Sequence, residues 1–523
     1  MGLLELNRLM SMRQRRRHRK IQSRSMSISS AKRKGLPGQQ DVNPQACKRR
    51  TYSVPDLPKD IWHDILSLLP LSDAARAGCV SHTFLSSWRS HPNLTLSKET
   101  LGLNGNACGQ DELARIFTNR VDCIMENHSG GLKTFKLDYC GSSFDTSCLN
   151  RWLDSAVTPG IEEVKLSMPL GCNAVYYGFP CSVLFSGSGN SIRHLHLSRR
   201  AFHPTAGLGC LTRLHLSQVH ITGDELGHLL SNSLAMEELT LNGCGKIIHL
   251  KISCLLHRLN SLSVFNCTAL QVIENKAPNV CLVRIDGALE ERLVGDLLQV
   301  KELQMLDYYE CDLVHYACSK LPFIMPNLET LGLSSAGEVS QTRVKHELIC
   351  DEDSNMRQML GHRHCNLKNV RIMGFCSAKS MVELTCHILE NATSLERLTL
   401  DAIYDNSSYG DADRSCVGKK GECNPKSRSI IKHAHKGLWA IGKYVVEKVP
   451  STVQLSVKKL CSRCHKIKWW CLAMQALKIQ VYFVYLLQLM KHSISVVQKY
   501  MGRAFFVSFL NNHLSGYVKI SSW

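Results

Sequence analysis

Two short stretches, IRHLHLS (Ile192–Ser198) and LTRLHLS (Leu211–Ser217), decide the fold. Each places apolar residues at i, i+3 and i+5: Ile192, Leu195 and Leu197 in the first, Leu211, Leu214 and Leu216 in the second. Side chains alternate along a strand, so i+3 and i+5 point to one face and i+2, i+4 and i+6 to the other. The same spacing precedes them at Leu132-Phe135-Leu137 and Ile161-Val164-Leu166. It follows them at Met236-Leu239-Leu241, Leu259-Leu262-Val264, Val280-Val283-Ile285, Val300-Leu303-Met305, Leu328-Leu331-Leu333, Leu367-Val370-Ile372 and Leu395-Leu398-Leu400. One copy would mean nothing, but these eleven start at intervals of 19 to 39 residues.

The series resembles the L-x-x-L-x-L core of leucine-rich repeats, whose period is about 20–29 residues. Each unit leaves an apolar face that only the next unit can cover. The expected fold is therefore α/β, with a repeat solenoid shaped as a horseshoe. Position i+8 is Cys140, Cys244 and Cys267 in three copies, where a thiol serves as a small hydrophobe. The longest interval contains VKHELICDEDSNMRQMLGHRH (Val344–His364) and is read as a loop insertion.

The outward positions would line the concave face. They are mixed polar residues with a few apolar ones, a surface suited to holding a protein. The candidate contact residues are His194, His196, Arg213, His215, Glu238, Phe265, Arg284 and Arg371. Neighbouring rows lie about 4.8 Å apart, so the three imidazoles could gather into a metal or pH-responsive site. The repeat places no carboxylate or fourth ligand beside them. Solvated histidines are the expectation, with no metal and no cofactor assigned.

Charge is unevenly spread. Of the net +19, residues 1–50 hold fourteen Lys/Arg and two acids, and residues 458–523 hold ten Lys/Arg and no acid. The body from 51 to 457 is left at −3, so the folded part has no basic face for nucleic acid. The 24 cysteines follow no secretory signal and are read as reduced thiols of a nuclear or cytoplasmic protein. RQRRRHRK (Arg13–Lys20) with KRK and KRR further on reads as a disordered arm, with a nuclear address as one use. A solvated tail or a transit peptide are the others.

Ahead of the repeats lies DLPKDIWHDILSLLPLSDAARAGCVSHTFLSSWRSHPNLTL (Asp56–Leu96). Ile61, Ile65, Leu68 and Leu69 form an apolar helical stripe, widened by Trp62. Pro58 opens this helix and Pro70 ends it, near Leu69. Ser72 is placed as N-cap of a second helix over Asp73–Val80, and Ser81 as N-cap of a third carrying Phe84, Leu85 and Trp88.

The Leu-Pro opening, the I-x-x-x-I-L-x-x-L-P run, D-A-A-R-A, V-S-x-x-F and W-R resemble the F-box in order, in its plant form. That resemblance implies docking onto a Skp1-like adaptor, and through it a cullin. By motif position the docking residues would come from Leu57, Pro58, Ile61, Ile65, Leu68, Leu69, Pro70, Leu71, Val80 and Trp88. Some of these must serve as internal core. Together with the repeats, the chain resembles plant F-box/leucine-rich-repeat proteins with an FBD-like carboxy-terminal region. GLWAIGKYVVEKVPSTVQLSV (Gly437–Val457) would supply a helix and a closing strand.

The expected order is a disordered basic arm (1–54), an F-box (55–97), a helical linker (98–131), a repeat solenoid with its cap (132–457), and a Cys-rich segment with a poorly ordered tail (458–523). Cys461-Ser-Arg-Cys464-His465 matches the haem-attachment spelling, but no oxidising export route accompanies it. Trp469–Met490 is apolar but broken by Gln475, Lys478, Gln480 and Gln488, so no membrane span is expected. P-loop, G-x-S-x-G and H-E-x-x-H motifs are absent from the sequence. The expected function is that of a non-catalytic receptor, holding a protein client of unknown identity for a ubiquitin ligase. A repeat scaffold outside any ligase is the alternative.

Overall fold

The computed structural model describes residues 57–103, 109–141, 145–168, 178–185, 188–286, 293–295, 297–307, 321–335, 363–402 and 428–460. The basic arm, most of the Val344–His364 insertion, the Cys461–His465 motif and the apolar tail lie outside them.

All eleven repeat copies are strands. In chain order the strands are β1 (Asn93–Leu96), β2 (Thr134–Asp138), β3 (Glu163–Ser167), β4 (His194–Ser198), β5 (Arg213–Ser217), β6 (Glu238–Asn242), β7 (His249–Ile252) and β8 (Ser261–Phe265). They continue as β9 (Val272–Asn275), β10 (Leu282–Asp286), β11 (Leu293–Gly295), β12 (Glu302–Asp307), β13 (Thr330–Ser335), β14 (Asn369–Met373), β15 (Arg397–Asp401) and β16 (Gln454–Lys458). Thirteen form one parallel sheet, in chain order from β1 to β16 with β7, β9 and β11 left out. Those three make a second, smaller parallel sheet.

One hydrogen-bond device sets the register. In each repeat but the last the carbonyl at i+1 accepts two N–H groups from the next repeat. Lys133 O accepts from Glu162 at 2.8 Å and Glu163 at 3.0 Å, and Glu162 O accepts from Arg193 at 2.8 Å and His194 at 3.0 Å. Arg193 O, Thr212 O, Glu237 O and Asn260 O carry the series forward, and Glu396 O receives Gln454 N–H of β16 at 2.8 Å. Positions i, i+3 and i+5 then stack repeat upon repeat into one continuous core from Leu94 to Val445.

Position i+7 is the bend that turns the chain off the sheet. Its φ is positive at Arg199 (57°), Gln218 (53°), Asn266 (53°), Gly243 (67°) and Gly374 (74°). Where glycine is not used, the side chain contributes: Arg199 Nε donates to Gln218 Oε1 at 2.8 Å, and Asn266 Nδ2 to Asn242 Oδ1 at 3.1 Å.

The return path depends on the length available. The longer intervals accommodate helices: 29 residues separate Leu132 from Ile161, and 28 separate Leu367 from Leu395. Among the described helices are α1 (Lys59–Ser67), α2 (Leu71–Gly78), α3 (His82–Arg89), α4 (Gln110–Asn127), α5 (Thr146–Ala156), α6 (Gly223–Ser231), α7 (Lys379–Asn391) and α8 (Arg428–Ala440). Helix α5 returns between β2 and β3, and α7 between β14 and β15. From Met236 to Val300 the copies start only 20 to 23 residues apart. There the chain returns as β7, β9 and β11, extended backbone that gains its own ladder.

Two boundaries differ from the sequence reading. Helix α2 starts at Leu71 behind Pro70, not behind Ser72, because Pro70 O already accepts from Asp73 and Ala74 N–H at 2.9 and 3.0 Å. Helix α1 stops at Ser67, and Leu68 and Leu69 bond back three residues to Ile65 O and Leu66 O. Ser81 caps α3 as expected, its Oγ accepting from Phe84 N–H at 3.1 Å.

Leu214, 1% exposed in β5, tests the stacking. Leu214→Ala should lower unfolding free energy by about 2–5 kcal/mol in urea titrations. Leu298→Ala, at a 52% exposed position, should change it by less than about 0.5 kcal/mol.

Candidate protein-interaction surfaces

Two surfaces stand out, one on the three amino-terminal helices and one on the concave face of the large sheet. Helices α1–α3 bury little. Leu66, Ala74 and Phe84 face inward, and Trp62 meets the Phe84 ring edge-on at 4.7 Å between centroids. The apolar stripe of α1 is turned outward. Leu68 is 85% and Val80 71% exposed, and Leu57, Ile61, Ile65 and Leu69 are also exposed large hydrophobics. Pro58 and Pro70 are exposed beside them. An apolar patch of this kind marks an interaction site on a soluble surface.

The ten residues named from sequence thus separate by location. Leu71 and Trp88 are half-buried and pack against the solenoid core, so they fix the helices to the repeats. The other eight lie on the open surface.

The joint between helices and solenoid is built around His91, which is almost fully buried. Its Nδ1 accepts from Asn93 N–H at 3.1 Å. The ring therefore carries its proton on Nε2 when neutral, and Nε2 faces Leu69 O at 3.2 Å, at the end of α1. His128 Nε2 reaches His91 O at 3.0 Å. Ser129 N–H donates to Arg89 O at 2.9 Å, and Gly130 comes so close to Ser90 that an added Cβ would lie 2.9 Å from it. Pro92 O accepts from Lys133 and Thr134 N–H, which starts the repeat ladder.

On the concave face the predicted residues fall into register rows. His194 lies opposite Arg213, and His196 opposite His215, with Lys165 on the far side of His196. The imidazoles of His196 and His215 stack, 4.1 Å apart and 12° from parallel. His196 Nε2 meets Ser198 Oγ at 3.1 Å. His194 is not part of the stack, so two of the three imidazoles meet and the third does not. Burial pushes the His196 imidazole down to about 3, helped by His215 and Lys165. Burial and Lys165 also lower His215, opposed by Glu238. These two rings are partly buried neutral groups, not the solvated histidines expected from sequence. Among the described residues no group of three metal-ligating side chains occurs.

Arg213 pairs with Glu238 at 3.8 Å, and Arg284 Nε donates to Gln304 Oε1 at 3.0 Å. Arg371 is half-buried and lies in register between Gly332 and Thr399. Phe265 is the correction. It sits at an outward position of β8 but is only 6% exposed, and all five residues of that strand are buried. Its ring is not an open contact for a partner.

Comparison with known proteins agrees with both modules. The family model described as the F-box domain matches residues 54–96. The model described as the At1g61320/AtMIF1 LRR domain matches residues 124–344 and 338–462, well over half the chain. In Arabidopsis thaliana, At3g49150, which carries an F-box/LRR-repeat name, is 25% identical over 113 residues. That match takes in 22% of this chain and 18% of the relative. At3g44060, which carries an F-box name, is 26% identical over 193 residues, 36% of this chain and 43% of the relative. The matched stretches thus span less than half of either relative.

The histidine pair has a pH consequence. An unfolded His196 binds a proton near its ordinary 6.5, whereas the folded ring resists until about 3. The unfolded chain therefore holds more protons between these values, and stability falls as pH drops from 6.5 toward 3. His196→Gln should compare more favourably with wild type at pH 5 than at pH 8, read from paired urea titrations.

Proposed function

The chain belongs to the At1g61320/AtMIF1 leucine-rich-repeat family and carries an F-box, and on that premise we propose that it is the substrate receptor of a Skp1–cullin–F-box ubiquitin ligase. The observation that carries the proposal is the outward apolar stripe of α1, together with the exposed Val80 that follows α2. A three-helix unit that leaves Leu68 and Val80 largely in water requires a cover. The F-box match gives that cover the character of a Skp1-type adaptor.

In this reading the chain does no chemistry. Leu57, Pro58, Ile61, Ile65, Leu68, Leu69, Pro70 and Val80 form the adaptor contact. Leu71 and Trp88 hold the contact surface against the solenoid. The concave face, including Arg213, Glu238, His215 and Arg284, holds the protein client. One body with two binding surfaces brings client and ligase together, so that transfer proceeds at a high effective concentration. The His91 joint ties the helical unit to the repeats through its bonds to Leu69 and Asn93.

The test is capture of a purified Skp1 by the full chain. Wild type should retain Skp1, and Leu68→Asp/Val80→Asp should weaken binding by about thirtyfold or more, as loss of desolvated anchor residues does. Because both positions are exposed, the double variant should keep the wild-type melting temperature. Failure of wild type to retain Skp1 sinks the proposal and favours a repeat scaffold outside any ligase.

A further inference from the structure

The concave face contains a cation that the fold does not use. Lys136 is held by Glu163 at 2.9 Å, and Arg213 lies 3.8 Å from Glu238. Lys165, between them on β3, makes no ion pair and no hydrogen bond among the described residues. It is half-buried, and its charge is close enough to disfavour protonation of both His196 and His215. The sheet register sets the three side chains in one row, Lys165 opposite His196 and His196 opposite His215. Asp138 lies at the exposed end of β2, two positions along from Lys136, and makes no ion pair with Lys165 among the described residues.

Three nitrogen-bearing side chains therefore share one row, and Lys165 has no ion-pair partner among the described residues; the nearest acids, Glu163 and Glu238, are paired with Lys136 and Arg213. A half-buried ammonium with no ion-pair partner is a ready contact for a negative group. Each neutral imidazole can present one N–H, and Lys165 can present three. One carboxylate has the charge and the acceptor sites to engage this row. A phosphate dianion would leave a second charge unmatched, because the neighbouring cations already have acidic partners.

We infer that Lys165, His196 and His215 form a subsite for a carboxylate side chain, so that the client presents an acidic residue to the β3–β5 sector of the concave face. The assignment rests on the receptor reading above for the word client, but the subsite itself is a property of the sheet. At neutral pH the rings are uncharged, so the charge balance of the row rests on Lys165. The groups facing the row that also enter this balance are Lys136, Asp138, Glu163, Arg213 and Glu238.

The test uses the full chain and a fluorescein-labelled peptide of alternating Glu and Ser, followed by fluorescence anisotropy at fixed salt. Lys165→Gln should weaken saturable binding roughly tenfold, the scale of one charge-assisted contact worth about 1.4 kcal/mol. Lys165→Arg should retain most of it. Replacing Arg15, Arg16 and Arg17 with Gln weakens attraction to the basic arm and should leave the Lys165-dependent part intact. That part should hold steady between pH 8 and pH 6, where the rings stay neutral and Lys165 carries the charge. The inference is overturned if wild type shows no saturable binding, if Lys165→Gln binds as wild type does, or if the arm substitutions remove all binding. Skp1 capture by Lys165→Gln separates the two proposals, because it should be unchanged whichever way the peptide result falls.

Discussion

Everything in this chain depends on the carbonyl at position i+1 of each repeat. It accepts two N–H groups from the repeat that follows, and no neighbouring strand could slip by one residue without losing both bonds. A one-residue slip would also turn i+3 and i+5 to the concave side and expose the core. Hydrogen bonding and burial therefore specify the same register at every step. This agreement lets intervals as different as 19 and 39 residues share one sheet. The returns can be helical, extended or irregular, provided the next i+1 residue reaches its place.

The two ends of the stack need a different solution, because among the described residues neither has a further repeat beyond it. At the carboxy-terminal side, β16 adds to β15 in parallel, with α8 preceding it. At the amino-terminal side β1 covers β2, and behind it Leu71 and Trp88 of the helical unit pack on the core. The helical unit is thus part of the solenoid's cap, and its remaining apolar surface is left for an outside partner. That division of labour explains why the motif residues do not behave alike. Those toward the repeats are half-buried, and those on α1 are open.

Much of this was legible in the sequence, and the exceptions have physical causes. The i, i+3, i+5 rule located all eleven central strands, because their apolar residues are a direct consequence of stacking. Strand β1 escaped the same search. Leu94 and Leu96 occupy its i+3 and i+5 positions, but position i is His91, a polar residue made acceptable by its hydrogen bonds to Asn93 and Leu69. The joint that links the two modules was therefore hidden by the side chain that builds it. Strands β7, β9 and β11 escaped because short returns carry no helical period to read. The stacked state of His196 and His215 was open in the sequence as proximity, but burial decides that the rings are neutral, and burial cannot be read from spacing. Phe265 shows the same limit: its outward position was correct, and its accessibility was not.

The His91 joint also bears on the order of assembly. Chains are made from the amino terminus, and domains fold broadly in that direction. Pro92, whose carbonyl receives the first pair of N–H groups, comes just after α3, separated from it by Ser90 and His91. The helical unit and β1 are thus complete before Lys133 and Thr134 emerge, and they present a finished edge for the second strand to grow on. A repeat array can in principle nucleate at any unit. Here the first unit comes with a seed attached, so growth from one end has a template from the outset.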